Sequence, residues 1–235
     1  MKLFFTIVCL LCIGFVQAQN NNKYLDVSVG LITNSEFISP LINNKDKIPY
    51  TFAIDYTWYS TRYINFMSGV SISQFAASHS WGVKTNQTEK NYYSFENSFI
   101  TFNIQTGVKL IYPLFHIENK KKINIYTIPQ FGLRPIAIDE IDYNVAYHVP
   151  INKSGAVSLE EKSVRTSSAL HYFYNQEFGL SISKESYSIS LGCFVNTLDV
   201  FSELRKKSID NYSLRNILPD RKLNWGIIVR IAGEL

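Results

Sequence analysis

Apolar and polar residues alternate with period two in eight separate runs along the chain, and that pattern leaves few folds open. In FITFNIQTGVKLIYPLF (99–115), the even positions from Ile100 to Leu110 read Ile, Phe, Ile, Thr, Val, Leu. The odd positions from Thr101 to Lys109 read Thr, Asn, Gln, Gly, Lys. The other runs begin at Tyr24, Phe52, Ile64, Ile123, Leu170, Tyr187 and Leu223. Their apolar parities, which include Ile54, Phe102, Ile104, Leu180, Ile189 and Ile227, contain no Asp, Glu, Lys or Arg. Successive side chains of a strand point to opposite faces, so each run predicts a strand with one oily face. Pro129 falls on the apolar parity of the fifth run and predicts a bulge there.

The connections alternate in length. Joins at 60–63 and 184–186 are tight, and that at 112–122 is moderate and carries Lys120, Lys121 and Lys122. Joins at 34–49, 76–97, 138–166 and 198–221 are long and read as loops. Within 138–166, Tyr143, Val145, Tyr147 and Val149 keep the alternation. This join is therefore either a hairpin ending near Asn152 to Gly155 or an irregular loop. Short turns at one end and long loops at the other suit an all-β, antiparallel, up-and-down transmembrane barrel of eight strands, with ten as the other count considered.

Alternation alone does not say which face is outside. A soluble lipocalin-like carrier would hold its oily face inward around an apolar ligand. The polar parities, however, are rich in Gly, Ser, Ala, Asn and Thr, which suit the crowded interior of a narrow closed barrel. Their charges also balance in kind. Lys109, Arg134 and Arg230 stand against Asp26, Asp55 and Glu177, with His171 beside them. These residues predict an interior polar network, because buried charges are tolerable only when paired and hydrogen-bonded. Aromatics gather at both ends of the runs: Tyr24, Trp58, Tyr59, Tyr63, Tyr112 and Tyr187 at the short-turn end, and Phe52, Phe75, Tyr92, Tyr93, Phe95, Phe99, Tyr172 and Trp225 at the long-loop end. That distribution predicts two interfacial belts.

The first residues, MKLFFTIVCLLCIGFVQAQ, combine Lys2, an apolar run and the small-residue close Val16-Gln17-Ala18, the three parts of a secretory signal. The reading is a signal peptide at 1–18 and one domain at 19–235, exported and placed in an outer membrane. Removing Lys2 lowers the formal charge from +4 to +3, too little to suggest nucleic acid. Cys193 alone remains in the mature chain, so a disulfide scaffold is excluded.

The signal ending VQAQ, the eight runs and the segment VKLIYPLFHIENKKKINIYTIPQFGLRP together resemble the small outer-membrane β-barrels of OmpX and OmpA type, in the variety common in Bacteroidota. The resemblance implies the same fold and location. The chain departs from the pattern at its end, where Leu235 stands in place of the frequent terminal aromatic.

No catalytic, cofactor or metal motif stands out. His79, His116, His148 and His171 have no metal-ligand spacing between them, and no HExxH, GxSxG or Walker loop is present. His171 with Glu177 and Asp55 reads as structural polar filling rather than an acid–base group. The acidic group Asp139, Glu140 and Asp142 reads as a solvated cluster rather than a Ca²⁺ site. Arg205, Lys206 and Lys207 read as a solvated run or a contact for lipopolysaccharide headgroups. The expected function is a non-enzymatic barrel that presents outer loops for binding, adhesion or envelope integrity. Its interior is too narrow for a general pore. The expected partners are outer-membrane lipids and lipopolysaccharide, the barrel-assembly machinery during insertion, and envelope proteins. Membership of an envelope or secretion assembly, a secreted carrier, and an acyl-transfer or protease barrel are the other readings.

Overall fold

The computed structural model describes residues 23–33, 49–117, 121–135, 140–150, 159–166, 170–184, 186–210, 212–218 and 223–235. The signal segment, Lys120, Asp139 and the tip at 151–158 lie outside them. Eight antiparallel strands close into a ring: β1 (Tyr24–Ile32), β2 (Tyr50–Ser60), β3 (Ile64–Lys84), β4 (Glu89–Ile117), β5 (Lys121–Arg134), β8 (His171–Lys184), β9 (Tyr187–Asn196) and β12 (Asn224–Glu234). The β1–β12 pairing, with Val29 opposite Val229, closes it. Closure leaves no edge in the ring, which is what a solvent without hydrogen bonds demands of a sheet. Two further strands, β6 (Glu140–Pro150) and β7 (Glu160–Arg165), form a hairpin outside the ring, and two short ones, β10 (Ser208–Ile209) and β11 (Tyr212–Ser213), pair with each other. All eight expected runs are ring strands.

The oily parity faces out. Ile54, Phe102, Ile104, Leu180, Ile189 and Ile227 are all exposed on the ring's exterior. Asp26, Asp55, Lys109, Arg134, Glu177 and Arg230 are all buried inside. A lipocalin-like cup needs the reverse arrangement, so that reading is overturned.

The structure differs from the sequence reading in four places. Residues 76–97 are not a loop, because β3 runs 21 residues and β4 runs 29, paired to Lys84–Lys90. Asn86 closes their tip, its Oδ1 accepting from the Thr88 and Glu89 amides at 2.8 Å each. A bilayer crossing needs only about 9–11 residues per strand, so the pair is far longer than a crossing requires. The 138–166 join is a hairpin, but β6 docks on the projecting part of β4, with Tyr93 opposite Val145, rather than extending β5. The bulge expected at Pro129 is absent. Pro129 pairs in register with Gln176, and the β4–β5 ladder passes from Gly107–Gln130 to Leu110–Thr127 without a shift. The missing donor thus costs a rung without adding a residue, and the irregularity lies at Pro113–Phe115. Finally, Phe75, Tyr93, Phe95 and Phe99 belong to no belt, since they turn inward and are buried.

Those four aromatics belong to a second architecture. Above the ring, β3, β4, β6 and β7 enclose an ordinary apolar core, joined by residues 198–218. That segment folds as two 3-10 turns, Leu204–Lys206 and Leu214–Asn216, around the β10–β11 pair. Its Leu198, Val200, Phe201, Leu204, Ile209, Leu214, Ile217 and Leu218 are buried. Phe201 meets Phe99 edge-to-face at 5.3 Å, so the segment sits as a lid over the ring's long-loop mouth.

Candidate functional site

Inside the ring, the small residues of the polar parity leave room for a few large polar ones. Gly192 is one such position, since a Cβ there would lie 2.4 Å from the Tyr126 hydroxyl. That space lets Tyr126 donate to Glu177 Oε1 at 2.8 Å. Arg230 spans the middle. Its Nη1 donates to Asp55 Oδ2 at 2.9 Å, and its Nη2 donates to Glu177 Oε2 at 2.8 Å. Gln105 Nε2 donates to Asp55 Oδ1 at 2.8 Å. The two carboxylates come from β2 and β8 on either side, and the guanidinium fork satisfies both. Below this layer Lys109 approaches Asp26 at 3.8 Å and lies 5.7 Å from the Tyr126 ring centre.

Arg134 is buried near the opposite, long-loop end of β5, with His171 paired across from it. His171 is only half-buried and makes no hydrogen bond or ion pair among the described residues, so the structure does not bring it into the central cluster. Tyr126 and Gln105 complete the cluster; they carry no charge, so the charge balance of the polar parity does not point to them.

Above the Arg230 layer the interior narrows to a void of about 30 Å³ under Phe194 and Ile228. The lid closes over it. Asn196 Oδ1 accepts from the Leu198 amide at 2.6 Å, and Asn224 Nδ2 donates to the Leu198 carbonyl at 2.8 Å. In the head, Asp210 takes a left-handed backbone (φ 44°) and receives the Tyr93 and Tyr147 hydroxyls at 3.0 and 3.1 Å. Burial, reinforced by Asp210, holds the Tyr93 hydroxyl's pKa above its usual value. Lys162 donates to the Tyr147 hydroxyl at 2.5 Å, and that bond helps push its ammonium pKa up to about 12. Arg205 pairs with Asp199, and Lys206 with Glu203 at 2.6 Å, so two of the three cations in that run are neutralised within the lid.

The short-turn end is open. A cavity of about 450 Å³ runs from the turns up to the Asp26–Lys109 pair. Arg62, Lys109, Lys122, Lys184 and His116 line it, with Asp26 as its sole carboxylate among the described residues and Ser60, Asn65, Asn124, Ser181 and Ser183 between them. Glu140 and Asp142 are exposed on β6, and no group of three or more His, Cys, Asp or Glu that could hold a metal ion occurs among the described residues.

No family model matches the sequence, and no curated protein matches it. Among solved structures, the chain is similar to Neisserial surface protein A at 9% identity and a TM-score of 0.36, over 91% of this chain and 96% of that one. It is similar to Ail, the attachment invasion locus protein of Yersinia pestis, solved with the heparin analogue sucrose octasulfate, at 11% identity and a TM-score of 0.33, over 91% and 96%. It is also similar to the N-terminal β-barrel domain of Pseudomonas aeruginosa OprF at 8% identity and a TM-score of 0.33, over 92% and 100%.

Proposed function

We propose that the chain is an outer-membrane protein whose ring spans the bilayer and whose head stands at the cell surface as a non-enzymatic binding or adhesion module. One observation carries this reading. The two longest strands reverse their pattern partway along. On β4, residues 100–110 put Ile100, Phe102 and Ile104 outward and Thr101, Asn103 and Gln105 inward. From Phe99 back to Tyr93 the same strand puts Phe99, Phe95 and Tyr93 inward and Ser98, Glu96 and Ser94 outward. On β3, outward Val70 and Ile72 give way to Ser80, Gly82 and Lys84 beyond, while Phe75 turns inward. A sheet with an oily outside suits hydrocarbon, and one with an oily inside suits water. A strand that is both in succession passes from one solvent to the other, near Ile72 and Ile100.

The expected route is export through the signal at 1–18 and insertion by the barrel-assembly machinery. The head then meets lipopolysaccharide and external or envelope partners. The test is fractionation of cells expressing the full chain, with protease added outside. The protein is expected in the outer-membrane fraction with heat-modifiable gel mobility, and with cleavage confined to the head. Recovery as a soluble periplasmic or secreted protein refutes the reading.

A further inference from the structure

The head absorbs the chain's aromatic surplus and the Arg230 layer absorbs three of the six buried interior charges, but the open cavity at the short-turn end is explained by neither. We propose that this cup is a binding site for a compact, multiply charged phosphate-type anion.

Charge is the first reason. Among the described residues, four cations, Arg62, Lys109, Lys122 and Lys184, line the cavity against one carboxylate, Asp26. A cleft dominated by one sign of charge concentrates its field on whatever enters, and here the sign selects anions.

Lys109 is the second. Its side chain is 5% exposed, yet its ammonium is 3.8 Å from Asp26 and makes no hydrogen bond among the described residues. The Asp26 Oδ1 facing it likewise has no hydrogen-bond partner. An ammonium carries three donors, and a buried one left unsatisfied is costly. Lys109 lines the cup, so an oxyanion entering from the mouth meets those donors at the floor while Lys122 and Lys184 meet it at the rim. Buried Asn124 lies between them, with an Nδ2 already given to Ser183 Oγ at 3.0 Å, so polar wall groups continue from rim to floor. The three surplus positive charges among the described lining residues suit a phosphate or diphosphate better than a lone carboxylate.

The anion comes either from soluble phosphate compounds or from the headgroups of the adjacent leaflet. The inference uses the proposed membrane orientation only to say which compartment supplies the ligand. Binding in micelles does not depend on it, so failure of either leaves the other testable.

The probe is pyrophosphate, titrated calorimetrically into the folded full chain in an uncharged detergent at low ionic strength. Saturable binding near one per chain is expected, with a dissociation constant below about 1 mM. Lys122→Gln and Lys184→Gln, at the mouth, each weaken it about two- to fivefold. Lys109→Met weakens it about tenfold or more, because a charge-assisted bond is lost. Asp26→Asn, which removes the opposing charge, tightens it. Heat-modifiable mobility shows which variants have folded, and the two mouth variants keep the test decisive should Lys109→Met fail to fold. Absence of saturable binding, or equal affinity in wild type and both mouth variants, overturns the proposal. Nanodiscs separate the sources. Weaker apparent affinity in phosphatidic-acid-containing discs than in phosphatidylcholine discs assigns the cup to headgroups, and equal affinity assigns it to a soluble phosphate.

Discussion

Arg230 shows what a single interior residue does in a barrel of this width. It is 1% exposed and holds two carboxylates that are themselves fully buried, Asp55 and Glu177. Replacing it by methionine keeps much of the volume and removes the charge between two like charges. Arg230→Met is expected to cost about 3–5 kcal/mol, the range for breaking a buried pair from one side. Urea titration of the micellar barrel measures this, and a loss under about 1 kcal/mol means the carboxylates have found other partners. The exterior obeys the opposite rule. Ile104 is outward and nearly half exposed, while its neighbour Gln105 is inward and bonded to Asp55. Ile104→Arg is expected to cost about 2–4 kcal/mol in lipid and block assembly. Gln105→Ser loses one hydrogen bond, about 1 kcal/mol, and still assembles. Equal yields of folded barrel from the two variants contradict a bilayer on the outer face. Which residues point inward is legible from parity alone. Which of them touch is not, because Arg230 and Asp55 are 175 positions apart and meet only through ring closure.

At the scale of elements, β3 and β4 explain both the success and the limit of reading this chain. Alternation is recognised by a constant parity, and below Ile72 and Ile100 the parity is constant. Beyond them the apolar residues move to the other parity, so a continuing strand looks like a strand that has ended. The lid at 198–218 was hidden for a different reason: its apolar residues follow neither a two- nor a 3.6-residue period, because 3-10 turns and two-residue strands bury them one by one. The projecting pair also holds a titratable group, His79. His79 lies between Trp81, at 5.8 Å between ring centres, and Phe95, at 6.5 Å, and its Nδ1 has no hydrogen-bond partner. Burial holds its pKa below the ordinary 6.5. A histidine depressed in the folded state is protonated more readily when the head opens, so its neutral form stabilises the head at pH above the ordinary value. That contribution is lost as the pH falls below it. Hydrogen-exchange protection along 79–95, taken relative to the intrinsic exchange rate at each pH, is therefore expected to fall as the pH drops from about 7 to about 5. His79→Gln is expected to flatten that dependence, and a response unchanged in the variant removes His79 as its cause.

Among the described residues, the molecule is a stack of closures with one open end. The lid's apolar core seals the long-loop mouth, and the Arg230–Glu177–Asp55–Gln105 layer crosses the lumen beneath it. Below Asp26 and Lys109, space for a solute returns among the described residues. Eight strands leave an interior that side chains can fill, and here they fill it twice over, in two independent chemistries. The two barriers lie between the head and the cup, so a solute at one end is expected not to reach the other through the lumen. In planar bilayers the folded protein is expected to show no steady single-channel conductance. Shortening the lid across 199–216 exposes the upper interior but leaves the ion-paired layer in place, so it too is expected to remain closed. Opening requires both barriers to go, the lid shortened and Asp55, Glu177 and Arg230 replaced together by serine, which removes the layer without stranding a charge. Steady conductance from the lid variant alone would mean that the charged layer yields to water and that the barrel is a gated channel, with the lid as its gate.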